Sequence, residues 1–577
     1  MDKCKDNLYD KRYILAIVLS SIALFLCVWK KMFIVTNIMA WDEIGYWSNA
    51  AYLVGLDWSS VASKFASYYS YGYSVIIAII LLICKKATLA YQIAIGLNCL
   101  MLIANLIFLI KLGNVLTHGK EKWKVMCCAL IAAFYTNNLA QSFNAWPECE
   151  LILLFTIIFY LSVKIQKEYS LIKAVLLTIL VCYLYCVHNR TLAFVIAGCI
   201  VLFFSLILKK ISIRDFVVIC IVICCALSFI LYMKNVIING VYSQLGDRNL
   251  GNNVKTIVSQ SYNNFLNING IVDLVETFCN RFYYWGVTTY GTFFAVIFFY
   301  VKHFINVIRE KENISFDKSF IALSVLGTVV IITIALSNHH DYQSLLYGRY
   351  QDFMTSPLYM CGMLLVLNRL ENKYMPVYIV LVIVLYYVAK AMPIYIDYFV
   401  VNCNTTLYKY WMGTSNGGYN LELATKVAVL IGFLIYYISL TKRKNVTMFF
   451  LIVYTFISCC ASVIDYNNVF NNLYNNYYGV TNDLKRIHSI CENYDKVYLV
   501  SDEEVSMSQP IAMWIQIEMY DHKVIVVDKN DSIPTDSYII YPRKKEENRY
   551  IINTKKQGRF IMGDTFVGLY YKGEKYE

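Results

Sequence analysis

The sequence predicts a polytopic α-helical membrane protein of about thirteen spans with a small extracytoplasmic α/β domain after the last of them. Three observations carry this. Of 577 residues, 58% are hydrophobic and 16% charged, with a mean hydropathy of +0.50, a balance far more apolar than a water-soluble fold carries. Apolar runs of about the length a bilayer requires follow one another as far as residue 464. Beyond that point the chain turns polar, and short strand-like runs replace the long apolar ones.

The elements follow in order. The first run, near 13–29, lies behind a basic stretch at 3–12 and lacks a small-residue cleavage site before Trp41, so it reads as a retained helix. Residues 30–88 read as one outer segment with amphipathic or re-entrant helices. The run at 71–84 inside it is short, and the basic clusters alternate sides only if it does not cross. Spanning runs then fall near 89–110, 125–143, 147–163, 171–187, 191–208 and 215–233. A long outer loop, 234–285, carries an aromatic stripe at 278–285 that reads as an interfacial helix. Further runs lie near 286–305, 319–337, 353–368, 375–391, 423–440 and 446–464. Basic clusters at 111–124, 164–173, 209–214, 302–318, 369–373 and 442–444 mark the cytoplasmic loops. The domains are thus a membrane region 1–464, a linker 465–480 and an α/β unit 481–577. In the last, an amphipathic helix starts at Thr481, and 497–500, 524–527 and 538–541 read as buried strands.

Composition excludes several classes. The net charge of +12 sits in short clusters between apolar runs, as topology signals do, and points to no nucleic acid. The 19 cysteines lie mostly inside apolar runs, without CxxC or Cys/His spacing, so neither a disulfide framework nor a zinc site is expected. Membrane lipids are the surroundings of the whole region 1–464.

With this topology, five polar segments share the outer face: Trp41-Asp42-Glu43, residues 144–148 ending in Glu148, His188-Asn189-Arg190, the 234–285 loop, and a stretch holding His339, His340, Asp341, Arg349 and Tyr350. Ionisable residues at a membrane boundary are costly to keep and mark function. A carboxylate there can remove a proton from a hydroxyl, hold a metal or bind a cation. Each also has an ordinary reading. Arg190 and Arg349 can snorkel to the interface. Glu148 follows Pro147 at a helix start, where an acid complements the dipole. His339, His340 and Asp341 can bind a divalent metal or form a polar loop. His188 can be a hydrogen-bonded interface histidine. The aromatics Trp41, Tyr46, Trp47, Tyr68 and Tyr69 suit either an interfacial belt or stacking on sugar rings.

An acidic pair behind the first span, amphipathic helices after it, about thirteen spans and a small C-terminal outer domain together resemble the GT-C superfamily of membrane glycosyltransferases, in its bacterial branch related to protein mannosyltransferases and aminoarabinose transferases. Asp42-Glu43 matches the pair. Residues 69–74 depart from the His-Pro-Pro-Leu type stretch of many relatives, and Glu148 stands where relatives often place a second acid. The resemblance implies transfer of a sugar from a polyprenyl-phosphate donor to an outer-face acceptor (glycan, lipid or protein), with inversion. Region 1–464 would be the catalytic domain and 481–577 an accessory one. Asp42 is then the candidate base, and Glu43 orients the loop or holds a metal. Arg190 and Arg349 receive the donor phosphate, because guanidinium forks match its geometry. Glu148, Trp41, Tyr46, His188 and Tyr350 are the remaining candidates at the site. A divalent metal, on Glu43 or on His339, His340 and Asp341, is the one cofactor allowed for. The competing functions are a lipid-linked polysaccharide polymerase or ligase and a transporter or flippase. The first usually lacks an acidic pair directly after the first span. The second favours charges deep in broken helices and a repeated half.

Overall fold

The computed structural model describes residues 2–242, 266–309, 315–337, 348–391, 421–477, 484, 496–501, 508–528, 537–542, 560–562 and 567–572, apart from Met39, Lys85 and Lys442. The protein is a helical membrane bundle with a mixed β-sheet unit at one end. Among the described residues, eight helices are long and apolar enough to cross a bilayer, and four more apolar helices are shorter.

The chain enters through α1 (Asp2–Ile34). The segment read as outer loop then holds α2 (Glu43–Leu53), α3 (Ser59–Phe65) and α4 (Gly72–Ile83). Helix α4 has 12 residues and so spans about 18 Å, well short of a hydrocarbon core. The bundle continues with α5 (Ala87–Leu116), α6 (Lys122–Ala133), α7 (Thr136–Ala140), α8 (Glu148–Lys167), α9 (Leu171–Val187), α10 (Leu192–Ile207) and α11 (Ile213–Val241). After it come α12 (Ile268–Thr288), α13 (Thr292–Arg309), α14 (Phe316–Leu336), α15 (Arg349–Asp352), α16 (Thr355–Leu367), α17 (Met375–Ala391), α18 (Leu421–Leu440) and α19 (Lys444–Tyr477).

Four sequence readings change. The span expected at 125–143 is not one helix. It breaks at Tyr135, and α7 and a 3-10 turn at Gln141–Phe143 follow. Asn137 and Asn138 favour the break, because their side chains compete for backbone and distant partners: Asn138 donates to the Ala132 carbonyl in the last turn of α6 at 3.2 Å and also bonds Ser356, while Asn137 bonds Asp352. The 234–285 loop is shorter than expected, since α11 runs to Val241 and α12 starts at Ile268. The aromatic stripe 278–285 is not interfacial. Tyr283, Tyr284 and Trp285 are fully buried, and their polar ends are each satisfied inside the bundle, with Tyr284 Oη donating to Asp352 at 2.7 Å and Trp285 Nε1 to Thr355 at 2.8 Å. The linker 465–480 is helical as far as Tyr477, as part of the 34-residue α19. The helix read from Thr481 lies, apart from Leu484, outside the described residues.

All three strands expected in the C-terminal unit are present: β1 (Lys496–Ser501), β2 (Lys523–Asp528) and β3 (Ser537–Pro542), joined by β4 (Phe560–Met562) and β5 (Val567–Lys572). The sheet order is β2-β1-β3-β5-β4, with β1 parallel to both neighbours and β5 antiparallel to β3 and β4. Helix α20 (Ser508–Glu518) lies between β1 and β2 in the chain and supplies the crossover that two parallel strands need. This unit docks on the segment that leads into and out of the acidic pair. Asn37 Nδ2 donates to the Trp514 carbonyl at 3.1 Å, and Trp514 Nε1 returns a bond to the Ile38 carbonyl at 3.1 Å. Trp58 Nε1 donates to the Tyr520 carbonyl at 2.8 Å, and the Val526 amide to Ser60 Oγ at 2.9 Å. Salt bridges Lys64–Asp528 and Asp57–Lys523 close the rim. The sheet unit and the acidic pair therefore share one end of the bundle.

Candidate active site

At that end, four charged side chains from four separate parts of the chain form one continuous row. Asp42 lies in the turn before α2, with its side chain 32% exposed. Its Oδ2 accepts from Arg349 Nη1 at 2.6 Å, and its Oδ1 from the Tyr69 hydroxyl at 2.6 Å. Arg349 opens α15 and is 2% exposed; its Nε donates to Glu148 Oε1 at 2.9 Å. Glu148 opens α8, where its charge also complements the helix dipole, and its other oxygen takes Arg190 Nη2. Arg190, in the 3-10 turn Asn189–Thr191 between α9 and α10, is 5% exposed.

The row alternates in sign, so its two guanidiniums and two carboxylates neutralise one another. This is the condition under which charges survive burial. Aromatic faces complete the enclosure. The Arg349 guanidinium lies 3.7 Å from the centre of the Trp146 ring, and that of Arg190 lies 5.3 Å from Tyr350 and 5.2 Å from Phe353. Two nitrogens of Arg190, Nε and Nη1, have no partner among the described residues, and neither has the buried Tyr46 hydroxyl. A buried donor without a partner is costly and points to a group that arrives from outside.

The other expected residues fall as follows. Glu43 is fully buried, and its oxygens accept from the Ala40 amide at 2.8 Å, the Tyr91 hydroxyl at 2.6 Å and the Ala145 amide at 2.7 Å. It thus ties the acidic turn to α5 and to the 144–146 turn. Tyr46 packs on Tyr69, with ring centres 5.0 Å apart. Burial first, and then Asp42, hold the Tyr69 phenol well above its ordinary pKa, so it stays a donor to that carboxylate. His188 accepts the Arg190 amide at Nδ1 over 3.3 Å, and desolvation, then Arg190 and Arg349, push its pKa well below the ordinary histidine value. It is neutral and serves the turn that carries Arg190. Trp41 is half exposed at the mouth. His339, His340 and Asp341 lie outside the described residues.

The described carboxylates are engaged by protein donors, which bears on the divalent metal allowed for. The oxygens of Asp42, Glu43 and Glu148 face amide, phenol and guanidinium donors, and among the described residues no three His, Cys, Asp or Glu side chains converge.

The support beneath Arg349 is absent from the sequence reading. Asp352, at the other end of the same four-residue helix, accepts from Tyr135 Oη at 3.0 Å, Tyr284 Oη at 2.7 Å, Thr355 Oγ1 at 3.1 Å and the Asn137 amide. Gly348 lets this happen, because a Cβ there would collide with the Tyr284 phenol and Asp352. Burial raises the Asp352 pKa to about 7 against the pull of its hydrogen bonds. A carboxyl with a raised pKa binds more protons folded than unfolded, so stability falls as pH rises from about 4 to about 7 and then levels off. In thermal unfolding across that range, Asp352→Asn is expected to flatten the slope; an unchanged slope would place the titration elsewhere.

No protein-family model and no curated protein sequence matches the chain. Solved structures do. ArnT from Cupriavidus metallidurans bound to undecaprenyl phosphate is 8% identical with a TM-score of 0.51, over 96% of this chain and 97% of that one. The same protein in the apo state is 10% identical with a TM-score of 0.50 over the same shares. At such identity the likeness is one of fold: the chain has the GT-C fold.

Proposed function

We propose that the protein is a membrane glycosyltransferase that moves a sugar from a polyprenyl-phosphate carrier to a hydroxyl of an outer-face glycan, lipid or protein, with inversion. The observation that carries this is the row Asp42–Arg349–Glu148–Arg190, in which one end is a partly exposed carboxylate and the other a buried guanidinium with two nitrogens that have no partner among the described residues. A base and an anion site side by side are what transfer from a phosphate ester demands. The solved structure of like fold with undecaprenyl phosphate bound supports the carrier class.

In this reading the carrier phosphate enters between Arg190 and Arg349, taking the free Nε and Nη1 donors and the Tyr46 hydroxyl. It competes with Asp42 for Arg349. A carboxylate oxygen released from Arg349 Nη1 is open to the acceptor hydroxyl, so donor binding readies Asp42. The acceptor oxygen attacks C1 of the sugar from the face opposite the phosphate, and Asp42 takes its proton. The C1–O bond breaks with its electron pair on the phosphate, which leaves as a stable anion without a general acid. Developing charge on that oxygen falls to the two arginines. The test is incubation of the purified protein with a panel of polyprenyl-phosphate sugars. Release of free carrier phosphate with one of them, dependent on an acceptor hydroxyl, is expected; no release from any would overturn the reading.

The same reading puts the acidic turn and the sheet unit outside the cytoplasm. Cysteines engineered at Trp41 and Asp521, both about half exposed, are then expected to react with an impermeant thiol reagent in intact cells, and one at the exposed Glu168 is not. Labelling of Glu168→Cys alone would invert the topology.

A further inference from the structure

The two ends of the charged row are also joined by a second route, one without charge. Tyr69 and Ser70 lie in the stretch between α3 and α4. The Tyr69 hydroxyl donates to Asp42 Oδ1 at 2.6 Å, and the Asn49 side-chain amide of α2 donates to the Tyr69 carbonyl at 2.8 Å. The next residue reaches the opposite end. Ser70 Oγ donates to Asn189 Oδ1 at 2.9 Å, and Asn189 directly precedes Arg190 in its 3-10 turn. Helix α4 then starts against the same part of the chain, where a Cβ at Gly72 would lie 2.7 Å from the Val187 backbone. Asp42 and the turn that carries Arg190 therefore rest on one short link.

The link makes the two oxygens of Asp42 unequal. Oδ2 accepts from Arg349 and Oδ1 from Tyr69. An incoming phosphate draws a guanidinium far more strongly than a phenol, because hydrogen bonds between ions are stronger than those of neutral donors. Tyr69 is also held in place on both sides. Its ring packs on Tyr46, with centres 5.0 Å apart, and its carbonyl is tied to α2. Desolvation first, and then the Asp42 carboxylate, keep the phenol protonated, so it remains a donor.

We infer that Tyr69 is a positioning residue for the base: it holds Oδ1 of Asp42 while Arg349 turns to the carrier phosphate, so that Oδ2 is the oxygen that takes the acceptor's proton. This rests on the reading of Asp42 as the base. The acceptor O–H bond breaks with its electron pair left on the acceptor oxygen for the attack on C1, and the proton forms a new O–H bond at Oδ2. A carboxylate gripped by one oxygen keeps the other aimed, which is the alignment that proton transfer in a bound complex needs. Ser70 sets the link against the Arg190 turn, so the base and the anion site keep one spacing.

A double-mutant cycle on the full chain tests this. The parent, Tyr69→Phe, Asp42→Asn and the double variant are compared in single-turnover rate with the donor that the polyprenyl-phosphate panel identifies, and in affinity for undecaprenyl phosphate. Phenylalanine keeps the ring on Tyr46 and removes only the hydroxyl. Tyr69→Phe is expected to turn over about tenfold or more slowly, the scale of a hydrogen bond to a charged group, with carrier affinity within about twofold of the parent. In the Asp42→Asn background the same substitution should cost almost nothing further, because its effect runs through Asp42. Ser70→Ala should give a smaller loss of the same kind, about threefold. Equal losses from Tyr69→Phe in both backgrounds would make Tyr69 a packing residue, and parental turnover of Tyr69→Phe would show that Oδ1 needs no holder; either result overturns the inference alone. Asp42→Asn at the parental rate, or no turnover of any donor in the panel, overturns the reading of Asp42 as the base and this inference with it.

Discussion

Asp42→Asn is expected to fold, insert and bind the lipid-linked donor, yet turn over about 10²–10⁴-fold more slowly, the usual contribution of a general base. The geometry explains why binding should survive. Asparagine can keep its oxygen on Arg349 Nη1 and turn its amide to the Tyr69 hydroxyl, which can accept as well as donate. What it cannot do is take a proton at neutral pH. Glu43→Gln is the matched control. Glu43 accepts three hydrogen bonds and is buried, so an amide there sets one N–H donor against another and removes part of the tie between the acidic turn, α5 and the 144–146 turn. Its loss should appear as lower yield and thermal stability, with the rate per folded molecule reduced far less than for Asp42→Asn. Single-turnover rates with bound donor separate the two. An Asp42→Asn enzyme that turns over at the parental rate would falsify the base assignment and leave Asp42 as a partner that merely neutralises Arg349.

This division of labour between neighbouring carboxylates was only half legible in the sequence. Position alone marked Asp42-Glu43, because two acids directly behind a spanning run are costly and rare. Which one faces the open side follows from the start of α2: the turn leaves Asp42 outside the helix, while Glu43 enters it and points into the bundle. Arg190, Arg349 and Glu148 could each be picked out from a polar residue at a span end. Their meeting could not. The Asp42–Arg349 pair joins residues 307 apart and the Glu148–Arg349 pair residues 201 apart, and no local period encodes such contacts. Periodicity misled where side-chain bonding overrode it. The apolar character of 125–143 predicts a span, but Asn137 and Asn138 spend their amides on Asp352, Ser356 and a carbonyl and break the helix. The stripe 278–285 is aromatic enough for an interface, yet phenol and indole groups that find partners inside can be buried instead. Asp352 escaped notice for a related reason: an acid three residues from a basic one reads as an ordinary helix-end pair, and its donors come from two distant segments, around Tyr135 and Tyr284, and from Thr355 in the next turn.

Replacing Arg190 or Arg349 should cost donor use heavily, and the two losses should differ in kind. Arg190→Ala leaves Glu148 still paired with Arg349, so the row stays partly neutralised and the protein should accumulate. The free Nε and Nη1 donors go with it. Loss of a buried charged contact to phosphate typically costs about 2–5 kcal/mol, which is roughly thirtyfold or more in donor affinity. Arg349→Ala removes a donor contact and also the cation that neutralises Asp42, so it should depress both donor binding and the rate of the bound complex. Lysine at either position should rescue only in part, because a point charge cannot hold Glu148 and a phosphate together as a guanidinium fork does. Glu148→Gln is the necessary contrast. It leaves two buried guanidiniums facing one carboxylate, and breaking a buried pair in this way costs about 3–5 kcal/mol of stability, so its defect should show first in yield and melting temperature. If Arg190→Ala matches the parent in donor kinetics, its guanidinium serves only to neutralise Glu148. The phosphate must then be bound elsewhere, and the row would be a structural strut between α8, α9 and α15 with Asp42 at its end.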